Sequence, residues 1–428
     1  MYGYWLILRM NVTQISFLFF LLKFYFSIVW RSDFKEMVEV QPQSLDRINT
    51  LPQDTIEKIL TLLPIQDALR TSVLSKKWRH CWKGMPKLVF DDKYLNTSSS
   101  SKEIRKYKFV NAIFHVLMLH NGPVLEFSIS INIDTEIDDE IDQIILHLSK
   151  SKNIKKFICK FRSNELFKFY FSKRYKLPSV FFTLHGLEHL HLTHCVIELP
   201  LTFDGFITLR ILELCNVNIT AKMLQQLLTN CPLLEKFILI GHQKGFITLG
   251  NKCRFLELSK CLPSVQVLKI SKSYIKQFTE GSSMQKPPAL LVHLRILYLD
   301  VCFLKQYELS DALSVINSSP NLEKIKIELC WNHKLCGEET CKDLVDLQDY
   351  YLGMKLDRLE ELEITSFHNY APEMEFVKLI MAKSPMLKKA RIELHSDVSV
   401  DEENTMLRDL LRLTFPRVSP AVDIIVER

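Results

Sequence analysis

LPQDTIEKILTLLPIQDALRTSVLSKKWRHCW, residues 51–82, reads as three short helices separated by prolines and small polar residues. Pro52 suits a first helical turn, where its missing N–H costs nothing, and Asp54 favours the positive helix N-terminus. Ile56, Ile59, Leu60 and Leu63 fall at i, i+3, i+4 and i+7, one apolar stripe. Pro64 is expected to stop that helix. Asp67 is expected to cap a second helix carrying Ala68, Leu69 and Val73, and Ser75 a third. Trp78 and Trp82 stand four apart on one face, with Lys76, Lys77 and Arg79 around them. Three short helices bury little surface alone, so such a module is marginal unless it docks on something. From these residues two readings stay open: a helical cap on a larger domain, or a nucleic-acid-binding helix. The second is weakened by basic residues too few to track phosphates.

Behind this module the pattern changes. Four segments align without gaps: MLQQLLTNCPLLEKFILI, FLELSKCLPSVQVLKI, ALSVINSSPNLEKIKI and VKLIMAKSPMLKKARI. Their prolines are Pro232, Pro263, Pro320 and Pro385. Five and seven places on, apolar residues alternate as in a strand: Phe237 and Leu239, Leu268 and Ile270, Ile325 and Ile327, Ala390 and Ile392. Two places on stand Leu234, Val265, Leu322 and Leu387. Five and eight places before lie Leu227 and Leu224, Leu258 and Phe255, Val315 and Ala312, Ile380 and Val377, a helix-face spacing. Each unit therefore reads helix, proline stop, strand.

A second series, LEHLHLTHC, LRILELCNV, LRILYLDVC and LEELEITSF, starts at Leu187, Leu209, Leu294 and Leu359. Its form, L-x-x-L-x-L-x-x-C/N, is that of a leucine-rich repeat. The anchors Leu187, Leu209, Leu234, Val265, Leu294 and Leu322 stand 22 to 31 residues apart. A repeat of this kind buries its face only against its neighbours. The expected fold class is therefore α/β: an irregular solenoid with parallel strands on the concave face and helices on the convex face. VLEFSISI (124–131) and IKKFICKF (154–161) are fainter units, KLVFDD (87–92) the expected first strand, and NTSSSSKE (96–103) a loop.

The first stretch, written LPxDxIxxIL-x2-LP-x2-DALRTSVLSKKWR-x2-W, closely resembles an F-box in the form common in plant proteins. LDRLEELEI, EMEFVKLIMAKSPMLKKARIEL and the terminal IIV resemble the FBD region that closes plant F-box proteins with leucine-rich repeats. The resemblance runs from about Ser44 to the end. It implies an F-box over 44–86, a repeat solenoid over 87–350 and FBD-like repeats over 351–428, and residues 1–36 ahead of it read as an apolar extension. It implies a three-helix F-box docking on the Skp-type adaptor of a cullin-based ubiquitin ligase through Leu51, Pro52, Ile59, Leu60, Leu63, Pro64, Val73 and Trp78. For Ile59, Leu60 and Val73, packing between the helices is an equal reading. The implied function is substrate recognition in an SCF-type ligase, with a protein substrate on the repeats, no bond chemistry, no cofactor, and a nuclear or cytoplasmic location. Two alternatives are a scaffold without a ligase role and a membrane-anchored repeat receptor.

Composition is compatible with this. Hydrophobic residues are 47% and charged residues 24%, a globular balance. Only 11 glycines occur, and neither GxGxxG nor GxxxxGK[ST] is found, which argues against a phosphate-cradling enzyme. A net charge of +6 permits acidic partners without demanding them, and no nucleic acid is expected. The 11 cysteines, such as Cys215 in LELC and Cys302 in LDVC, sit in apolar patterns and read as free thiols of a reducing compartment.

Four local features remain. In CWNHKLCGEETC, Cys330, His333, Cys336 and Cys341 have spacing for four zinc ligands, in an unusual order and with Cys330 at the repeat's own Cys/Asn position. A loop of free thiols is the competing reading. His191 and His194 are expected in sheet or turn packing, and DTEIDDEID (134–142) as a solvated helix face or acidic loop. Lys155, Lys156, Lys160, Arg162, Lys168, Lys173, Arg174 and Lys176 form a basic patch for an acidic partner, or a solvated convex surface. ISFLFFLLKFYFSIVW (15–30) is shorter than the about 20 residues of a membrane span and lacks a small-residue cleavage site. Membrane anchor, signal sequence, or an extension ahead of a true start at Met37 are its three readings. The change of style at Met37 favours the last, and a membrane is not an expected partner.

Overall fold

Each LP pair places its proline at a helix start: Pro52 before Gln53–Thr61 and Pro64 before Ile65–Arg70, both at φ −56° and ψ 149°. Proline is pre-set for that position and wastes no donor there. The protein is seen here in a computed structural model. It describes residues 50–94, 102–132, 138–151, 153–162, 174–241, 255–271, 274, 291–304, 306–330, 353–411 and 422–428. The expectations for 1–36, for most of NTSSSSKE, and for His333, Cys336 and Cys341 lie outside these residues. By backbone contacts the chain divides into two units, 1–86 with 119–122, and 87–118 with 123–428.

In the first unit two 3-10 turns, Thr71–Val73 and Trp78–Gly84, follow the two helices. Ile56, Ile59 and Leu60 point inward from the first helix, as the stripe requires, and meet Ile65, Ala68, Trp78, Cys81, Trp82 and Met85. Two expectations are corrected. The first helix ends at Thr61, before Pro64, which opens the next. Asp67 is not a cap but a first-turn residue, paired with Arg70 at 2.8 Å, because Pro64 already occupies the cap. Ser75 does receive the Trp78 N–H, at 3.4 Å. Lys83 O accepts the N–H groups of Asn121 and Gly122 at 3.0 and 3.2 Å. A Cβ on Gly122 would lie 2.7 Å from Gly84 O, so only glycine allows this backbone approach.

The second unit holds one twelve-stranded sheet, all parallel, whose order follows the chain: β1 (Lys87–Asp91), β2 (Glu126–Asn132), β3 (Lys156–Arg162), β5 (His189–Thr193), β7 (Ile211–Cys215), β8 (Lys236–Ile240), β9 (Val267–Ile270), β10 (Ile296–Val301), β11 (Lys324–Leu329), β12 (Glu361–Phe367), β13 (Lys389–Leu394) and β14 (Asp423–Glu427). It does not close on itself. The two-residue strands β4 (Tyr175–Lys176) and β6 (Cys195–Val196) pair separately. Helices Ala221–Thr229, Phe255–Lys260, Gln306–Asn317 and Ala371–Lys383 precede β8, β9, β11 and β13, as the four aligned segments required. Asp138–Ser151 lies between β2 and β3, and the 18-residue helix Lys102–Leu119, which the sequence reading left out, follows β1.

Register explains the sheet. Leu88, Phe127, Phe157, Leu190, Leu212, Phe237, Leu268, Leu297, Ile325, Leu362 and Ala390 are successive partners in one row. All are at most 1% exposed. A second row, from Phe90 to Ile392, runs two residues further along each strand, because alternate residues share a face. Each such side chain contributes ~1.5–3 kcal/mol by leaving water. The strand-end position of the signature carries Cys195, Val217, Cys302, Cys330 and Phe367, all at most 2% exposed. It is an apolar site that thiol, isopropyl and phenyl groups fill alike.

Two buried carboxylates are structural. Glu308 and Glu373 are each the third residue of a helix, and reach back to the amides of the preceding turn. Glu308 accepts the Cys302 N–H at 2.7 Å; one oxygen of Glu373 accepts those of His368 and Tyr370 at 2.9 and 3.2 Å. This is the logic of a capping box, which satisfies donors that a helix start leaves free.

Candidate functional site

Two surfaces carry side chains that the cores leave unused. On the helical unit the eight expected contact residues separate by burial. Leu60 and Trp78 are 0% and 1% exposed, and Ile59 is also buried, so these three hold the helices together. Leu51, Leu63 and Pro64 are half-buried, Pro52 is exposed, and Val73 is 55% exposed. Beside them stands Leu62, 67% exposed, which the sequence reading passed over. Its signal was present: an apolar residue in the last turn that falls off the core stripe. Lys77 donates through Nζ to the carbonyl of Leu51, tying the first helix entry to the third element.

The other surface is the face of the sheet opposite the buried rows. At its two ends charge dominates. Lys156 and Lys87 reach Glu126 at 3.1 and 3.7 Å, and Arg162 reaches Asp91 at 2.6 Å and also Asp92. Lys324 meets Glu361 at 2.8 Å, Lys326 meets Glu363 at 2.6 Å, and Arg391 pairs with Glu427. The basic patch read between 155 and 176 is neutralised in part. Lys155 pairs with Glu188 and Lys176 with Glu198. Lys168 and Lys173 lie outside the described residues. Lys156, Lys160 and Arg162 stand on β3, alternating with buried Phe157, Cys159 and Phe161. They therefore stand on the face of the sheet opposite the buried rows.

Near the centre, His191 Nδ1 lies 2.6 Å from Glu213, which Lys236 also meets at 2.9 Å. The His191 hydrogen bond, with Lys236 beside it, holds the Glu213 carboxyl down at about 2. His194 sits in the turn after β5 at φ 53°, where its N–H donates to Cys215 O at 2.9 Å. Both histidines do packing work, as expected. In DTEIDDEID, residues 138–142 form a helix start, with Ile141 buried and Asp142 accepting the Tyr175 hydroxyl at 2.5 Å.

The eight described cysteines are free, and burial pushes Cys159 and Cys231 up to about 12 and Cys215 to about 11, which makes them poor nucleophiles. Among the described residues no three His, Cys, Asp or Glu side chains come together as a metal site. Nor, among them, is any helix long and apolar enough to cross a membrane.

Comparison with known proteins gives three domain matches. The F-box domain covers residues 48–90, the LRR repeats of "FBD-associated F-box protein At5g56370" cover 146–261, and the FBD covers 356–392. Among whole chains, "F-box/FBD/LRR-repeat protein At1g13570" of Arabidopsis thaliana is 30% identical over 427 residues, 90% of this chain and 99% of its own length. "F-box/FBD/LRR-repeat protein At3g26920" of the same plant is 26% identical, covering 55% of this chain and 49% of its own. "FBD-associated F-box protein At5g56370", also from Arabidopsis thaliana, is 29% identical over 53% and 54%.

Proposed function

The chain belongs to the plant F-box/FBD/LRR-repeat family, and from that premise we propose that it is the substrate-receiving subunit of an SCF-type ubiquitin ligase. The observation that carries this reading is the exposure of two large apolar side chains of the helical unit, Leu62 and Val73, in the stretch that matches an F-box. Exposed large apolar side chains on so small a unit mark a partner surface. In this reading Leu51, Pro52, Leu63, Pro64 and Val73, joined by Leu62, meet a Skp-type adaptor, while Ile59, Leu60 and Trp78 set the shape that presents them. The adaptor in turn links to a cullin.

The F-box spans 44–86, the repeats 87–350, and the FBD-like repeats 351–428. The parallel sheet bends into a solenoid with its strands on the concave side, where a protein substrate docks. The subunit performs no bond chemistry. Holding adaptor and substrate on one chain raises the effective concentration of substrate lysines near a conjugating enzyme. Free thiols throughout the described residues favour a reducing compartment, nucleus or cytoplasm.

The test is co-purification of the full chain with a plant Skp-type adaptor, alongside Leu62→Glu, Val73→Glu. A stable complex that the double variant loses, with its melting unchanged, supports the reading. A folded chain that holds no adaptor sinks it. Adaptor capture without a cullin would leave a scaffold outside any ligase.

A further inference from the structure

The open face of the sheet is not uniform. Its ends are ion-paired, as described above. Its centre is apolar: Ile211 on β7, Ile238 on β8, Val267 on β9, and Ile296 and Tyr298 on β10 all stand on that face, half-buried. Strands lie about 4.8 Å apart, so four of them span about 14 Å, the reach of about five extended residues.

The charge inside this apolar stretch is unbalanced. Lys236 is already held by Glu213. Lys269, between Ile238 and Tyr298 in its row, has no acidic partner among the described residues, and neither has Lys160 on β3. Both act on the Cys215 thiol, so both lie near the C-terminal end of β7. The acids nearest in the rows are Glu213, already used, and Asp300 at the β10 edge. Cations without a counter-charge on this face complement an incoming anion.

We infer that the open face from β3 to β10 receives an extended acidic segment of the protein substrate, its apolar side chains on the isoleucines and Tyr298 of β7–β10 and its carboxylates on Lys160 of β3 and Lys269 of β9. This rests on the reading of the sheet unit as the substrate-receiving part. It adds a class of sequence that the unit selects. Complementary charge fixes register and excludes basic competitors, while the apolar anchors supply most of the affinity.

The full chain, bound to its adaptor, is immobilised and challenged with a displayed library of random dodecapeptides. Selected peptides should interleave Asp or Glu with large apolar residues. The charge-reversed Lys160→Glu, Lys269→Glu variant should bind them about tenfold more weakly or worse and select Lys and Arg instead. Adaptor capture and melting of that variant report its folding, and Lys326→Ala, at the ion-paired end, should change nothing. Selection indifferent to the reversal, no selection at all, or capture of an oligo-dT strand at the same lysines in place of acidic peptides would each overturn the proposal. If the chain holds no adaptor, the same library is presented to the chain alone. The ligase reading then fails by itself, and the peptide result still decides this one.

Discussion

In the helical unit nine apolar side chains share one small core, closed by the indole of Trp78. In the sheet unit Leu299 is one of eleven side chains at most 2% exposed in a single row. Both are fully buried, yet they answer to different neighbourhoods. Trp78 touches elements from the whole of its unit, so its loss is felt everywhere at once. Leu299 touches the two strands beside it, so its loss stays local. The small unit exposes Leu62 and Val73 while its nine core side chains are committed to holding it together. A sheet with redundant rows can vary its open face freely, as the apolar stretch at β7–β10 shows.

The largest effect that tests this contrast is Trp78→Ala. Removing a buried indole costs ~3–5 kcal/mol, comparable with the whole stability of so small a unit. Hydrogen exchange should show residues 53–84 unprotected while β7–β11 stay protected. Loss of protection in both would erase the distinction. Next comes Leu299→Ala, at ~2–5 kcal/mol. Its exchange should rise in β9, β10 and β11 and fade beyond, as in a nearest-neighbour array. A uniform loss over all twelve strands would show one cooperative block instead.

Glu373→Gln probes a weaker point within the array. Burial pushes the Glu373 carboxyl up to about 7, with the amides of His368 and Tyr370 pulling the other way. The folded state therefore holds a proton that the unfolded chain, near the ordinary carboxylate value, gives up. The resulting stability is fully present below about 4.5 and is lost as pH rises through about 7. Gln keeps an oxygen for both amides and has no proton to lose. The wild-type protein should thus lose up to about 3 kcal/mol relative to the variant between pH 4.5 and 8, read from paired urea melts. A parallel pair of pH profiles would contradict it. Smallest is Lys324→Ala. Its partners Glu361 and Glu363 are partly exposed, and such pairs are worth ~0–1 kcal/mol. A larger loss would mean that the ion-paired end of the sheet is a stabilising network in its own right.

The repeats were legible because their burial is periodic. Leu224, Leu227, Phe237 and Leu239 announce a helix and a strand by spacing alone, and all four are at most 2% exposed. The helix Lys102–Leu119 was not legible for the opposite reason. It buries Phe109, Ile113, Val116 and Leu117 but exposes Ile104, Tyr107 and Met118, so its outer face hides the inner one. Asp67 failed as a cap because two residues compete for one role, and proline geometry won. Of the candidate contacts, the resemblance named the exposed Pro52 and Val73 together with the buried Leu60 and Trp78. A stripe identifies apolar residues without saying which side of them is covered.

By its own spacing the sequence determined two things: short helices at the front, the first with a proline start, and a serial alternation of helix and strand behind. Both are local properties, set by backbone geometry and by which residues three, four or two apart share a face. Tertiary structure alone decided the rest. Arg162 finds Asp91 and Asp92 some seventy residues away, and Glu213 gathers His191 and Lys236 from neighbouring strands. Lys160 and Lys269 are left over only because those pairings are complete. Pairing of this kind depends on strand register, and register joins residues that no local period connects.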